Sequence, residues 1–196
     1  MKRLFDIIAS ASGLLLTLWL FLLLALWIKC DSAGPVFFRQ ERVGRGGKPF
    51  RILKFRTMRP DSDRGIQITV GETDSRITRS GRFIRKWKLD ELPQLINVLR
   101  GEMSLVGPRP ETPKYVAYWT AEQRHVLDVR PGITDPASIR YRNENEMLAG
   151  RENPERYYIE VLMQEKLGLQ LEYVRHHSFW GDIAILFQTF WAVIKG

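Results

Sequence analysis

The uninterrupted apolar run Ile7–Ile28, which carries no charged residue, constrains this chain more than any other feature. As a helix it would be about 33 Å long at roughly 1.5 Å per residue. The hydrocarbon core of a bilayer is roughly 30 Å thick. A helix that is apolar on every side needs lipid, or a larger core than a chain of 196 residues builds. A cleaved signal peptide fits less well, because the run is too long for an h-region and no small-x-small site follows Lys29. The chain therefore divides into a membrane-inserted helix over residues 1–29 and one modest domain over residues 30–196.

The flanks of the run bear on its topology. Lys2 and Arg3 precede it, and Lys29, Arg39, Arg42, Arg45 and Lys48 follow. Positive charge at both ends gives no crossing direction by the positive-inside rule. A re-entrant segment, entering and leaving on one face, satisfies both flanks; the preference for it over a straight span rests in part on the family resemblance given below. Such a segment must bend, and the freed backbone groups must be rebonded. Proline is the usual device, but none occurs before Pro35. Ser10, Ser12, Gly13 and Thr17 are the positions at which a bend is expected.

A net charge of +8 and a pI near 9.8 point to anionic partners: nucleic acid, phosphates or an anionic lipid surface. The single cysteine, Cys30, excludes an internal disulfide framework and a cysteine zinc site. His125, His176 and His177 lack metal-ligand spacing.

The soluble part reads as α+β and mainly helical. Asp31–Pro35 is a turn cluster closing the anchor. Val36–Phe38 and Phe50–Arg56 read as strands of a small antiparallel hairpin across the turn Gly44–Pro49. Basic residues are dense from Arg39 to Arg59, against the one acid Glu41; many of them suit a solvated skirt beneath the anchor. Asp61–Asp74 reads as a loop. Ile77–Trp87 carries Arg79, Arg82, Arg85 and Lys86 at spacings of three and four, which makes one basic helical face. Leu89-Asp90-Glu91 opens a further helix, with Pro93 in its first turn, an apolar stripe Leu92, Leu95, Ile96 and Leu99, and Gly101 as its stop. Helices are also expected over Pro113–Val129, Pro154–Leu171 and Ser178–Lys195, with Arg130–Thr134 as a turn. The last helix carries Trp180, Phe187, Phe190 and Trp191, which suit an amphipathic helix at the headgroup level or packing on the core.

An Asp-Glu pair alone is most often an exposed helix cap. Here Asp90-Glu91 follows a basic face and precedes Arg109 in a rigid Gly107-Pro108-Arg109-Pro110 turn. Arginine presents a two-pronged donor suited to phosphate. A carboxylate can attack phosphorus and form an acyl phosphate, dividing one difficult displacement into two. Adjacent carboxylates also offer oxygen ligands to Mg2+.

Several segments in order, Lys2-Arg3-Leu4-Phe5-Asp6, Phe38–Gly44, Leu53–Met58, Lys88–Gly101, Met103–Pro110 and Arg130–Thr134, resemble the bacterial sugar transferases. These are monotopic polyprenyl-phosphate phosphoglycosyl transferases, and the size is similar to their minimal catalytic form. The resemblance implies transfer of a sugar 1-phosphate from a UDP-sugar to undecaprenyl phosphate, with UMP leaving, at the start of glycoconjugate synthesis. It implies Asp90 as nucleophile on the sugar-bearing phosphorus and Glu91 as its partner, through proton handling or positioning. Mg2+ would sit against Asp90 as its ligand. Arg109, Lys54, Arg56 and Arg85 would hold phosphate. It further implies a catalytic domain on the cytoplasmic face of the bacterial inner membrane. Expected partners are the UDP-sugar donor, the polyprenyl phosphate acceptor and the membrane, with no nucleic acid; a homodimer is left open. The chain departs from the family's pattern in three places. The Ser-Pro break of the family's membrane helix would fall near Leu18-Trp19. Asp135–Ile139 and Leu169–Val174 also differ, in regions where sugar choice is expected to be shaped. The competing readings are a membrane-anchored basic module binding nucleic acid or anionic lipid, and a phosphohydrolase, for which no histidine base stands out.

Overall fold

Helix α1 spans Lys2–Asp31, 30 residues without a break. In this computed structural model the described residues are 1–60, 68, 70–71 and 74–195. Most of the loop expected over Asp61–Asp74 lies outside them. Helix α1 does not stand away from the domain. Its inward stripe, Asp6, Ser10, Gly13, Thr17, Leu24 and Ile28, is buried or half-buried along the whole length. Of the residues at which a bend was expected, Ser10, Gly13 and Thr17 lie on this packed stripe and Ser12 is exposed. A methyl on Gly13 would stand 3.3 Å from Leu95 Cδ1, and Thr17 Oγ1 donates to the Gly13 carbonyl at 2.6 Å.

Polar contacts tie both ends of α1 to the same domain. Asp6 accepts from Ser104 Oγ at 2.8 Å and from the Leu105 amide at 3.1 Å. Lys2 donates to the Val106 carbonyl at 2.8 Å and pairs with Asp182. Arg3 donates to the Val98 and Leu99 carbonyls. At the other end, Asp31 accepts from the amide and hydroxyl of Ser80, each at 2.8 Å. The outward face carries Leu15, Leu16, Trp19, Leu22, Leu23 and Leu26, all exposed.

Strands β1 (Phe37–Val43) and β2 (Pro49–Phe55) form the expected antiparallel hairpin, with Phe37 opposite Phe55 and Val43 opposite Pro49. The turn between them puts Gly46 and Gly47 at φ 65° and 76°, which glycine adopts without strain. Helix α2 (Arg79–Lys86) is capped by Thr78 Oγ1, which accepts from the Gly81 amide at 3.0 Å. Helix α3 (Gln94–Arg100) ends on Gly101 at φ 82°, as its position predicts. A buried cluster of Leu24, Ile28, Phe55 and Ile84 joins α1, β2 and α2. A second, Ile52, Val98, Met103, Leu105, Val106 and Tyr173, lies under α3.

Two elements escape sequence reading. Strand β3 (Ser104–Val106) pairs in parallel with β4 (Gly132–Thr134), inside the segment read as a turn. Runs of three residues are too short to show alternation. Two glycines make the pairing possible. A Cβ on Gly132 would lie 2.1 Å from the Gly107 nitrogen, and one on Gly107 would lie 2.5 Å from the Arg130 carbonyl oxygen. The helix expected over Pro113–Val129 is also divided, into α4 (Pro113–Val116) and a 3-10 turn over Gln123–Asp128. Thr120 and Gln123 cap one another, amide to side chain in both directions at 2.9 and 3.2 Å, so the helix restarts there.

The C-terminal half holds α5 (Pro136–Arg140), α6 (Glu144–Leu148) and α7 (Pro154–Tyr157). A π-helical turn, Tyr158–Leu162, leads on into α8 (Met163–His176), five residues past the end expected at Leu171. Helix α9 (Phe179–Ile194) is capped by Ser178. Its inward side presents Asp182 to Lys2 and to Tyr173 Oη, the latter at 2.7 Å. Its outward side exposes Trp180, Phe187, Phe190 and Trp191, beside the N-terminal end of α1, where Phe179 and Phe5 meet edge to face at 5.6 Å.

Two glycine substitutions should act in opposite directions. Gly132→Ala forces backbone apart at the β3–β4 crossing and should destabilise by about 2–3 kcal/mol or more. Gly168→Ala, in α8 with nothing within 4 Å of the added methyl, should stabilise by about 0.5–1 kcal/mol. Thermal melting in detergent reads both; a Gly132→Ala protein as stable as the parent would contradict the close approach.

Candidate active site

Lys88 is the only described non-glycine residue with positive φ, at 54°. Left-handed backbone in a residue with a side chain is uncommon and costs on the order of 1–2 kcal/mol. Here it ends α2 and throws the chain into a 3-10 turn, Leu89–Glu91, which leads through Pro93 into α3. The turn sends Asp90 and Glu91 inward rather than leaving them as an exposed cap.

Glu91 is held by cations from two separate elements. Lys54 of β2 donates to its Oε1 at 2.9 Å. The Arg109 guanidinium donates to Oε2 at 3.1 Å and, from its other terminal nitrogen, to Oε1. Burial alone would raise the Glu91 carboxyl; Arg109 and Lys54, by charge and hydrogen bond together, hold it well below the usual range. Arg109 is correspondingly raised by Glu91. Lys54 is lowered by burial despite the pull of Glu91.

Asp90, 8% exposed, is the opposite case. Its Oδ1 is buried and has no hydrogen-bond partner. Burial pushes its carboxyl up; Lys54 opposes that, Glu91 adds to it, and the charges of Arg85 and Lys88 pull it back. The structure thus brings Asp90, Glu91, Lys54 and Arg109 together, with Arg85 near enough in α2 to act on Asp90. Arg56 is not part of this group. Its guanidinium donates to the Ser32 carbonyl at 2.7 Å, to Ser32 Oγ and to the Ala33 carbonyl, closing the C-terminal end of α1. The family resemblance implied a shared phosphate role for Arg56 and Lys54, but the two side chains serve different neighbours.

Three residues of the site escape the motif reading. Asp135, fully buried, accepts from the Arg109 amide at 3.0 Å and from Gln170 Nε2 at 2.7 Å, and caps α5 through the Ser138 amide at 2.6 Å. It fixes the Arg109 turn against α5 and α8. Arg42 donates to the Pro110 carbonyl at 2.9 Å and to Glu111 at 3.2 Å, bracing the same turn from β1. Gln94 is fully buried, and neither end of its carboxamide finds a partner. It follows Asp90 by four residues, one helical turn, where side chains share a face. Asp135 carried a local signal, since Asp135-Pro136 is a helix-start pair; Arg42 and Gln94 lie within the segments that resemble the family, without a role assigned to them.

A buried carboxylate with an orphaned oxygen, beside a second carboxylate fixed by two cations, suits attack on a phosphorus or ligation of a hard cation. Comparisons with known proteins find relatives named as sugar-phosphate transferases. A sequence model described as bacterial sugar transferase matches residues 1–196. The chain is 41% identical over 191 residues to the UDP-glucose:undecaprenyl-phosphate glucose-1-phosphate transferase of Caulobacter vibrioides, covering 96% of this chain and 67% of that protein. It is 44% identical over 195 residues to the undecaprenyl-phosphate glucose phosphotransferase of Komagataeibacter xylinus, covering 96% and 35%. It is 38% identical to the UDP-N-acetylgalactosamine-undecaprenyl-phosphate N-acetylgalactosaminephosphotransferase of Aeromonas hydrophila, covering 100% and 44%. The chain thus spans two-thirds of the first relative and well under half of the other two.

The two carboxylates should differ in stability measurements. Glu91→Gln leaves Lys54 and Arg109 facing a neutral group and should cost about 3 kcal/mol or more. Asp90→Asn removes a buried charge whose ionised form is disfavoured in the folded protein, so it should leave stability unchanged or raised. The pH dependence follows from the signs. The Glu91 contribution, from a depressed folded pKa, persists until the pH falls well below the ordinary glutamate range. The advantage of Asp90→Asn narrows as the pH falls through the raised Asp90 value, because the parent then becomes neutral there too. Melting curves of both variants across pH check this; equal stability of Glu91→Gln and the parent at neutral pH would refute the clamp.

Proposed function

The chain belongs to the bacterial sugar transferase family, and from that premise we propose that it moves a sugar 1-phosphate from a UDP-sugar to undecaprenyl phosphate. The products are a polyprenyl diphosphate-sugar and UMP, and the reaction would initiate assembly of a glycan on its lipid carrier. The observation that carries the proposal is the division of roles between adjacent carboxylates: Asp90 with an unpartnered buried oxygen, Glu91 saturated by Lys54 and Arg109.

In the first step an oxygen of ionised Asp90 attacks the sugar-bearing phosphorus. A phosphorus–oxygen bond forms, the bond to the bridging oxygen breaks, and UMP departs with the electron pair. In the second step a phosphate oxygen of the lipid attacks the same phosphorus and Asp90 leaves as carboxylate. Both steps exchange one phosphorus–oxygen bond for another, and neither needs a proton from Glu91. Its depressed pKa and doubled pairing support positioning over proton handling. With Glu91 it holds, Arg109 can turn its remaining donor capacity to a phosphate, helped by the charges of Lys54 and Arg85. Arg56 is left out of the phosphate set because Ser32 and Ala33 occupy its terminal nitrogens.

The residues present fit Mg2+. This ion prefers oxygen and is commonly bound by one or two carboxylates completed by waters and substrate phosphates, and Asp90 supplies an oxygen without a protein partner. When bound, the ion would neutralise charge on the diphosphate oxygens. Asp90 would hold it, with Glu91 kept out of reach by its cations.

The membrane arrangement is part of the proposal. Both ends of α1 are hydrogen-bonded to one domain, while its outward face and that of α9 are apolar and aromatic. We read α1 as inserted from one side, with Lys2 and Lys29 at the same face, which is the cytoplasmic face of the inner membrane where nucleotide sugars are made. No break is required, because the helix lies against its own domain.

Incubation with a panel of UDP-sugars, undecaprenyl phosphate and Mg2+ should release UMP, and Asp90→Asn should lower that release roughly 10³-fold or more. Chelation of divalent ions should abolish it. Donor alone should leave a glycosyl-phosphate adduct on the peptide bearing Asp90; turnover without that adduct would remove the covalent step. In sealed vesicles, a cysteine inserted after Met1 and the native Cys30 should react with an impermeant thiol reagent from the same side. Labelling from opposite sides would replace the one-sided anchor with a span.

A further inference from the structure

A cavity of about 190 Å³ has Arg109 in its wall. Its wall is mainly polar and includes Arg42, Glu144, Asn145 and Lys166 along with Arg109 itself. The wall charges are already matched. Arg42 pairs with Glu111 at 3.2 Å, and Lys166 with Glu144 at 2.6 Å. Asn145, half-buried, makes no side-chain hydrogen bond among the described residues. Thr112 Oγ1 and Trp119 Nε1, both in the wall and both more than nine-tenths buried, also have no partner. A cavity with neutralised charges and spare donors and acceptors suits a neutral polyhydroxylated ligand better than a further phosphate, which would ask for unmatched cations.

Resting on the proposed transfer, we infer that this cavity seats the pyranose of the donor. The position of Arg109 decides between sugar and nucleoside. If Arg109 holds the attacked phosphate, the sugar is one bridging oxygen away, and the nucleoside lies a further phosphate beyond. The order of the two steps points the same way. The sugar stays on the enzyme through both displacements, whereas the nucleotide must leave between them, so only the sugar gains from a seat that retains it. Asn145 and Thr112 then bind sugar hydroxyls, and Asp135, through Gln170 at the cavity wall and the Arg109 amide, keeps seat and phosphate clamp in register.

The test uses Asn145→Ala and Thr112→Val in the full chain, assayed by UMP release from UDP-glucose, UDP-galactose and UDP-N-acetylgalactosamine, with UMP as competitive inhibitor. Loss of a single neutral hydrogen bond corresponds to a change of about five- to tenfold. The expected result is a rise of that size in KM, unequal among the three donors, with the inhibition constant of UMP unchanged. Weakening of UMP by the same factor would assign the cavity to the nucleoside and overturn the inference. Unchanged KM for all donors in both variants, with the parent active, would overturn the seat and leave the transfer reaction standing. A parent that releases UMP from no UDP-sugar would remove the transfer reaction, and the seat with it. Melting curves of the two variants guard against a fold defect, which would lower kcat for every donor equally and leave their ratio untouched.

Discussion

Glu91 collects what the rest of the site is built around. Its carboxylate is buried, and an unpaired buried charge is costly enough that the group would take up a proton instead. Lys54 from β2 and Arg109 from the turn after β3 prevent this, so one side chain on a 3-10 turn fastens two elements distant in sequence. Each cation in turn depends on other supports. The Arg109 turn is held by Asp135 and by Arg42, and its backbone can approach β4 only because positions 107 and 132 lack side chains. The buried acid next in line, Asp90, is then surrounded by cations whose first obligation is to its neighbour.

The anchor obeys a second constraint. A long apolar helix ordinarily gives no information about where its two ends lie, and charge at both flanks leaves the question open. Here Asp6, Lys2 and Arg3 at one end and Asp31 at the other reach the same domain. Small residues on the inward stripe let α3 come close to α1. The helix behaves as a packed element on one side and an apolar surface on the other, and α9 extends that surface with tryptophan and phenylalanine.

How much of this was legible depended on the range over which the signal acts. The hairpin, the stop of α3 at Gly101 and the start of α9 at Ser178 rest on neighbouring residues, and all were readable. The pairing of β3 with β4 joins segments far apart through runs of three residues, which carry no period. The break before Gln123 came from a capping pair inside a segment whose aromatic pattern favoured helix throughout. Within the site, Asp90, Glu91, Lys54 and Arg109 stood out by motif. Arg56, two residues from Lys54 in sequence, was grouped with it, although its guanidinium closes the anchor instead. Asp135 was passed over because burial and pairing, not residue type, give it its role.

The contrast between the adjacent carboxylates has a physical origin in their partners. Both are buried at the same turn, so desolvation acts on both in the same direction. Glu91 receives two cations at hydrogen-bond distance; Asp90 receives charge from the same Lys54, and from Arg85 and Lys88, without a bond to its Oδ1. A fully bonded carboxylate would be a poor nucleophile, because its lone pairs would be engaged. One without any nearby cation would be protonated, and equally unreactive. Holding Glu91 as a permanent counterion lets the cations remain in place while Asp90 Oδ1 stays unbonded. The strained backbone at Lys88 turns both side chains inward at once, one to the cations and the other with an oxygen left free of protein partners.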